Sequence, residues 1–170
     1  HPLWQKKILQ YYKNLFTDAN SNQTAQLLFA SHSEAVISEA LKDLDKTKVI
    51  VLKRDGNGQV SANCIGIPAV LPYTMAAEVN YQAFELVSTD YHNALYGYIE
   101  AEGWKNNFDA QYPTVSYNRE RNGTVITQRI TLTEKIRHII HHPENRNNSY
   151  TEGDLKESIE RMRSFIMAQP

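Results

Sequence analysis

The sequence predicts a mixed α/β protein in two parts, an α/β region over residues 1–72 and an all-helical (all-α) region over residues 73–170. In the first part, segments of helical and strand periodicity alternate with short connections, which is typical of a parallel sheet covered by helices. In the second part, most segments repeat their apolar residues at helical spacing. The change of character after the segment GIPAVLPY places the boundary near residue 72.

Four segments carry the prediction for the α/β region. Residues 3–16 and 33–44 place apolar side chains at helical spacing, and Ser33 is a candidate N-cap of the second helix. Residues 24–31 form an apolar run of strand length, and residues 48–54 are rich in β-branched residues and precede the turn segment DGNG. We therefore expect the order helix, strand, helix, strand in one parallel sheet.

Two helices are predicted at the start of the second part, over residues 74–87 and 88–104, with a break at Ser88–Asp90. Their tyrosines are expected to pack in a core or an interface, and stacking on nucleic-acid bases is the alternative. Residues 106–124 are polar and rich in turn-forming residues. A loop is expected there, and a hairpin around RNGT is the alternative.

Two further helices complete the second part. Residues 126–142 are predicted to form one helix, which Pro143 ends because proline cannot continue the hydrogen-bond ladder. The last helix is expected to begin at Thr151, which resembles a capping box together with Asp154. The apolar stripe of this last helix consists of Leu155, Ile159, Met162 and Ile166.

The composition of the chain limits the cellular locations and the kinds of binding site that are expected. None of its apolar runs is long enough to span a bilayer, and its N-terminus has no signal-peptide pattern. A single cysteine, Cys64, excludes an internal disulfide and a thiolate zinc cluster, so a cytoplasmic location is predicted. The net charge of -1 provides no overall attraction for nucleic acid. The chain begins without methionine, and we expect it to be part of a longer protein.

The first candidate functional residue is His32, in the segment FASHSE. It lies just past the end of the strand predicted over residues 24–31. Open α/β folds bind ligands at the carboxyl ends of parallel strands, so His32 is a candidate ligand-binding residue. The alternative is an ordinary helix start, capped by Ser31 or Ser33, in which His32 has no role.

The segments HPLWQKKILQ, TAQLLFASHSEAVISEAL and KVIVLKR resemble, in this order, the C-terminal part of ATP-binding-cassette (ABC) ATPases related to the chromosome-maintenance and overcoming-lysogenization-defect families. In this resemblance His1, Pro2 and Gln5 follow the Walker B acids, and Ser31-His32-Ser33 is the switch-histidine segment. The resemblance implies that His32 senses the γ-phosphate of ATP.

The same resemblance implies cofactors and partners. ATP and Mg²⁺ would be bound mainly by elements outside this chain, because the sequence contains no GxxxxGK[ST] loop. The implied partners are an N-terminal ATPase portion and a second copy of the protein in a homo-oligomer. The implied biological role is anti-phage defence in bacteria, with no membrane partner.

The second candidate site is the segment IRHIIHHPEN, residues 136–145. At about 100° per residue, the isoleucines fall on one face of a helix, and Arg137, His138, His141 and His142 fall on the other. One interpretation is a solvated helix end, where cations interact well with the helix dipole. A second is a metal site, because His138 and His142 have the i, i+4 spacing of zinc ligands.

The third interpretation is a ribonuclease centre. Arg137-His138-x-x-x-His142 resembles the motif of HEPN domains, small helical domains that are often metal-independent ribonucleases. The resemblance implies that the histidines move protons, that Arg137 stabilises the charged phosphorane, and that tRNA or another RNA is the substrate. The helical tail is alternatively a docking platform for a partner nuclease or a sister protomer.

Overall fold

A computed structural model describes residues 2–43, 46–65, 69–73, 75–121 and 123–169, so the predicted role of His1 lies outside the described residues. Within these residues the chain is mixed α/β, with seven helices and two small antiparallel sheets. No helix among them is long and apolar enough to cross a membrane. The elements are α1 (Pro2–Leu15), α2 (Glu34–Ala40), β1 (Ile50–Arg54), β2 (Val60–Cys64), α3 (Ala76–Phe84), α4 (Thr89–Ala101), α5 (Lys105–Asp109), β3 (Thr114–Arg121), β4 (Thr124–Thr131), α6 (Leu132–His141) and α7 (Glu152–Met167).

The chain divides into two compact units. Unit 1 consists of residues 1–69 and 74–85, and unit 2 consists of residues 70–73 and 86–170. Unit 1 therefore holds α1 to α3 and the sheet β1–β2. Unit 2 holds α4 to α7 and the sheet β3–β4.

The sheet of unit 1 is an antiparallel hairpin, so the predicted parallel arrangement is wrong for the described strands. The segment DGNG connects β1 directly to β2, and such a short connection forces the strands to run in opposite directions. The Asp55 carboxylate accepts hydrogen bonds from the N–H groups of Asn57 (2.9 Å) and Gln59 (2.8 Å). Gly58 takes the positive φ of 84° that the turn requires.

The predicted strand over residues 24–31 is not formed, and these residues follow an irregular path in unit 1. A strand needs a partner for its backbone N–H and C=O groups, and none of the described strands pairs with this segment. Phe29 packs edge-on against Tyr12 of α1, whereas Leu28 is 94% exposed. The small core of unit 1 consists of Leu9, Val36, Leu41 and Val79.

Unit 2 is built around α4, α6 and α7, which pack on one another. The capping box predicted at the start of α7 is confirmed, because Thr151 and Asp154 each bond the other's backbone N–H. The predicted stripe of α7 is buried, as expected for an amphipathic helix. The core of this unit includes Tyr91, Leu95, Ile99, Phe108, Ile136, Leu155, Ile159, Met162, Phe165 and Ile166.

The second half of the chain is not all-helical, because β3 and β4 form an antiparallel hairpin. The helix predicted over residues 126–142 begins only at Leu132. Residues 124–131 are rich in β-branched side chains, which suits a strand paired with β3. Thr131 then ends the strand and caps α6, since its hydroxyl accepts the N–H of Glu134 at 3.3 Å.

Candidate functional site

A surface pocket of about 290 Å³ lies within unit 2, at the exposed face of α6. The end of α4 and the start of α5 supply its other walls. Three of the four residues that the sequence singles out as functional are brought together here, namely Arg137, His138 and His142. The pocket is lined by Tyr96, Glu100, Lys105, Glu134, Arg137, His138, His141 and His142.

Arg137 is held in a fixed position by three neighbours. Its guanidinium lies over the Tyr96 ring, with Cζ 4.6 Å from the ring centre. It also donates hydrogen bonds to the Glu100 carboxylate at 3.4 Å and to Nε2 of His141 at 3.0 Å. Because a guanidinium only donates, Nε2 of His141 carries no proton in this arrangement. These two bonds use two of the five N–H donors of Arg137, so others remain for an anion in the pocket.

Tyr96 forms an uncharged wall of the pocket, and Lys105 forms a cationic wall. Burial raises the pKa of Tyr96 to about 12, so its phenol stays uncharged beside Arg137. Burial by itself lowers the pKa of Lys105, but the hydrogen bond to Asp109 and the charges of Asp109 and Glu134 outweigh it and raise that pKa above its usual value. Lys105 therefore stays protonated, with its Nζ 3.6 Å from the Glu134 carboxylate.

His138 lies between two rings. It stacks on Tyr117 of β3, with ring centres 5.2 Å apart, and on His142, with centres 6.3 Å apart. Burial lowers the pKa of His138, and nearby positive groups, including Lys105 and Arg119, lower it further against the opposing charge of Glu134. His138 is therefore predominantly neutral at physiological pH.

His142 follows the last residue of α6 and is exposed. Its Nδ1 lies 3.1 Å from a carboxylate oxygen of Glu144. Since a carboxylate only accepts, Nδ1 carries the proton of this hydrogen bond. The other ring nitrogen, Nε2, is therefore where His142 can gain or lose a proton.

The loop after α6 is fixed to the free edge of β3. The Asn148 side chain accepts the N–H of Asn118 and donates to its carbonyl oxygen, both at 2.8 Å, which imitates a neighbouring strand. The side-chain amide of Asn145 donates to the same carbonyl oxygen at 2.9 Å. These bonds keep the residues that follow His142 in place.

His32, the fourth candidate, belongs to unit 1 and lies in an exposed loop before α2. The loop is held by the N–H of Ser33, which donates to the Ser31 hydroxyl at 3.0 Å, and by the Ser33 hydroxyl, which donates to Gln5 of α1 at 3.3 Å. Ser33 precedes α2 as predicted, but its side chain makes no capping hydrogen bond.

Sequence reasoning missed three contributors to the pocket, Tyr96, Glu100 and Lys105. Tyr96 and Glu100 lie one helical turn apart on α4, so they share a face, but nothing in the sequence shows that this face meets α6. Sequence reasoning also did not identify Glu144 as the hydrogen-bond partner of His142. The signal for that pair is local, because the two residues are separated only by Pro143.

In the described part of the chain, no group of three or more His, Cys, Asp or Glu side chains is arranged to hold a metal ion. The described residues therefore supply no third ligand for a zinc ion at His138 and His142. Comparisons of the chain with protein-family models, curated proteins and solved structures find no match.

Proposed function

We propose that unit 2 carries an endoribonuclease site in the pocket at the end of α6. The observation that carries this proposal is the convergence of Arg137, His138 and His142 on one open pocket, with Lys105 as a second cation. Cleavage of RNA by transesterification needs a base, an acid and a group that stabilises negative charge on the phosphate. The HEPN-like spacing of Arg137 and His142 supports the same assignment.

Each of the three side chains has a role in the proposed reaction. Neutral His138 takes the proton of the ribose 2′-hydroxyl, whose oxygen then forms a bond to phosphorus. Arg137, oriented by its three neighbours, stabilises the charge on the phosphorane. Protonated His142 gives its Nε2 proton to the 5′-oxygen as the P–O5′ bond breaks, which leaves a 2′,3′-cyclic phosphate.

The test is cleavage of a set of tRNAs and unstructured RNAs by the full-length protein in the presence of EDTA. We expect Arg137→Ala to lower the cleavage rate by about 10²–10³-fold, because the phosphorane loses its charge-stabilising donor. His142→Ala should lower the rate by about 10²-fold or more, because the leaving oxygen loses its proton donor. Cleavage should yield cyclic phosphate ends, identified by mass spectrometry.

The controls separate lost chemistry from lost folding. Arg146→Ala removes a cation from unit 2 that does not line the pocket, and it should cleave at the wild-type rate. Arg137→Lys keeps the charge but not the planar, forked donors, so it should stay strongly impaired. Equal cleavage by the wild type, Arg137→Ala and His142→Ala would refute the assignment to this pocket.

For unit 1 we propose the role that the ABC resemblance implies, the end of a nucleotide-binding lobe in a dimeric ATPase of anti-phage defence. The exposed position of His32, in a loop bonded to Gln5 of α1, supports the proposal. ATP and Mg²⁺ would be held mainly by the N-terminal ATPase portion. Undiminished ATP turnover by full-length His32→Ala would contradict the switch role.

The sequence places a docking module for a partner nuclease or a sister protomer in the helical tail. As a second candidate function, we propose docking of such a partner at the hairpin of unit 1 instead. The observation that favours it is the exposure of large apolar side chains on the hairpin of unit 1. Leu52 is 68% exposed and Val60 is 59% exposed. Apolar surface of this kind is typical of a protein interface. Docking by unit 1 is compatible with a nuclease site in unit 2.

A further inference from the structure

The sequence HPEN, residues 142–145, builds a turn beside the pocket. The N–H of Asn145 donates to the carbonyl oxygen of His142 at 3.0 Å, which closes the turn. Pro143 occupies its second position, where the fixed φ of proline is favourable. The turn carries Glu144 back towards the His142 ring, and their side chains meet at 3.1 Å.

This turn is anchored independently of the contact between His142 and Glu144. The side-chain amide of Asn145 donates to the carbonyl oxygen of Asn118 at 2.9 Å and to the hydroxyl of Tyr117 at 3.3 Å. Tyr117 is the residue whose ring stacks on His138. The anchor of the turn and the stacking partner of the proposed base are therefore the same part of β3.

The carboxylate of Glu144 stays ionised at neutral pH. Hydrogen bonds from its own backbone N–H and from His142 lower the pKa of Glu144. An ionised carboxylate accepts a hydrogen bond from Nδ1–H of His142 whether the ring is neutral or charged. The proton that His142 exchanges is therefore confined to Nε2.

We propose that Glu144 is a positioning residue, which holds Nδ1 of His142 protonated and thereby directs Nε2 to the leaving oxygen of the substrate. This inference rests on the proposed ribonuclease function and adds to it a carboxylate–histidine pair. In this role the Glu144 carboxylate orients a catalytic imidazole and does not itself exchange a proton.

The first test measures directly which nitrogen of the His142 ring is protonated, and it does not depend on RNA cleavage. The ¹⁵N chemical shifts of His142 in the full chain, recorded at a pH where the ring is neutral, identify the protonated nitrogen. We expect Nδ1–H in the wild type and loss of this preference in Glu144→Ala. Glu160→Ala, an exposed change in α7, is the control and should leave the His142 shifts unchanged. A wild-type ring protonated at Nε2 would overturn the proposal.

The second test is the steady-state kinetics of RNA cleavage. Without the carboxylate, the His142 ring is no longer held in one orientation, so Nε2 is directed at the leaving oxygen less often. We expect Glu144→Ala to lower kcat by about tenfold with little change in KM, a smaller loss than a buried carboxylate–histidine pair gives. Glu144→Asp, which keeps the charge, should recover part of kcat.

The outcomes distinguish this inference from the function on which it rests. If the wild type cleaves RNA and Glu144→Ala has an unchanged kcat, the role of Glu144 alone is overturned. A wild type that cleaves no RNA removes the catalytic role of the pair together with the proposed function. In that case the ¹⁵N shifts still decide whether Glu144 fixes the proton on Nδ1.

Discussion

At the scale of single residues, the contact between Arg137 and His141 links the fold to the proposed chemistry. His141 lies one turn beyond Arg137 on α6 and accepts a hydrogen bond from it at 3.0 Å. With the Tyr96 ring and the Glu100 carboxylate, this contact restricts the guanidinium to one position. An anion that enters the pocket then meets donors that are already oriented, which is the condition for efficient electrostatic stabilisation.

This arrangement predicts different effects for two substitutions of His141. His141→Leu removes the acceptor and should lower kcat/KM for RNA by about fivefold, the value of one hydrogen bond of roughly 1 kcal/mol. His141→Gln offers a side-chain oxygen as a replacement acceptor and should stay closer to the wild type. The rate of oligonucleotide cleavage under kcat/KM conditions measures both. Equal loss in the two variants would show that the acceptor is not what matters.

The pocket residues also show which parts of the candidate site could be predicted from the sequence. Helix periodicity places Arg137, His138 and His142 opposite the apolar face, and the resemblance to the HEPN motif singles them out. The structure puts all three at one pocket. Sequence reasoning did not find Glu100, because contacts between helices distant in sequence leave no local pattern. Spacing on one helix is therefore predictable from sequence, whereas the neighbours that orient each side chain are not.

At the scale of secondary-structure elements, a buried chain of polar groups joins the three main helices of unit 2. His92 of α4 lies 3.0 Å from the hydroxyl of Ser158 in α7, which donates to the hydroxyl of Thr133 in α6 at 2.8 Å. All three side chains are buried. The chain fixes the helices relative to one another, because an unpaired polar group there would be costly.

His92 therefore makes the stability of unit 2 depend on pH. Burial, to which the charge of Arg137 adds, lowers the pKa of His92 from 6.5 to about 4. The unfolded chain then binds a proton that the native chain does not, so the free energy of unfolding falls as pH drops from about 6.5 to about 4. The expected loss is about 3 kcal/mol.

Urea unfolding at several pH values checks this expectation. Trp104 packs against Phe165 in the core of unit 2, so its fluorescence in a Trp4→Phe background reports on this unit alone. His92→Gln keeps a donor for Ser158 but cannot titrate, and it should lose this part of the pH dependence. His32→Gln, which alters an exposed histidine of unit 1, should retain it. The same pH slope in His92→Gln and the wild type would contradict the prediction.

The two hairpins mark where element prediction failed. The segment TVITQRIT is apolar enough for a helix and β-branched enough for a strand, and only its pairing with β3 decides between them. The turn segments DGNG and RNG carried the better signal, since each supplies a glycine with positive φ at the turn, Gly58 and Gly123. The capping box of α7 was predictable because all of its parts lie within four consecutive residues.

At the scale of the whole molecule, the two units differ in how much apolar surface they bury. Unit 2 has a core of large side chains from four helices and a hairpin, whereas the buried apolar residues described in unit 1 are Leu9, Val36, Leu41 and Val79. Both faces of the β1–β2 hairpin are largely exposed. A two-stranded hairpin with so little cover is marginally stable in water.

This difference predicts two separate unfolding transitions, with unit 1 unfolding at the lower urea concentration, because buried apolar area is the main source of stability. Each unit contains one tryptophan, Trp4 in unit 1 and Trp104 in unit 2. Fluorescence of Trp4→Phe and Trp104→Phe therefore follows the two units one at a time. Hydrogen exchange should likewise be fast in β1 and β2 and slow in α4, α6 and α7.

Coincident transitions for the two reporters would contradict this expectation and would mean that the units are stabilised as one. The same comparison tests whether a partner covers the hairpin of unit 1. A nucleotide-binding lobe or a docking module gains stability from the partner that covers Leu52 and Val60, so the first transition should move to higher urea when that partner is added. The transition of unit 2 should not move, because the exposed residues Leu52 and Val60 belong to unit 1.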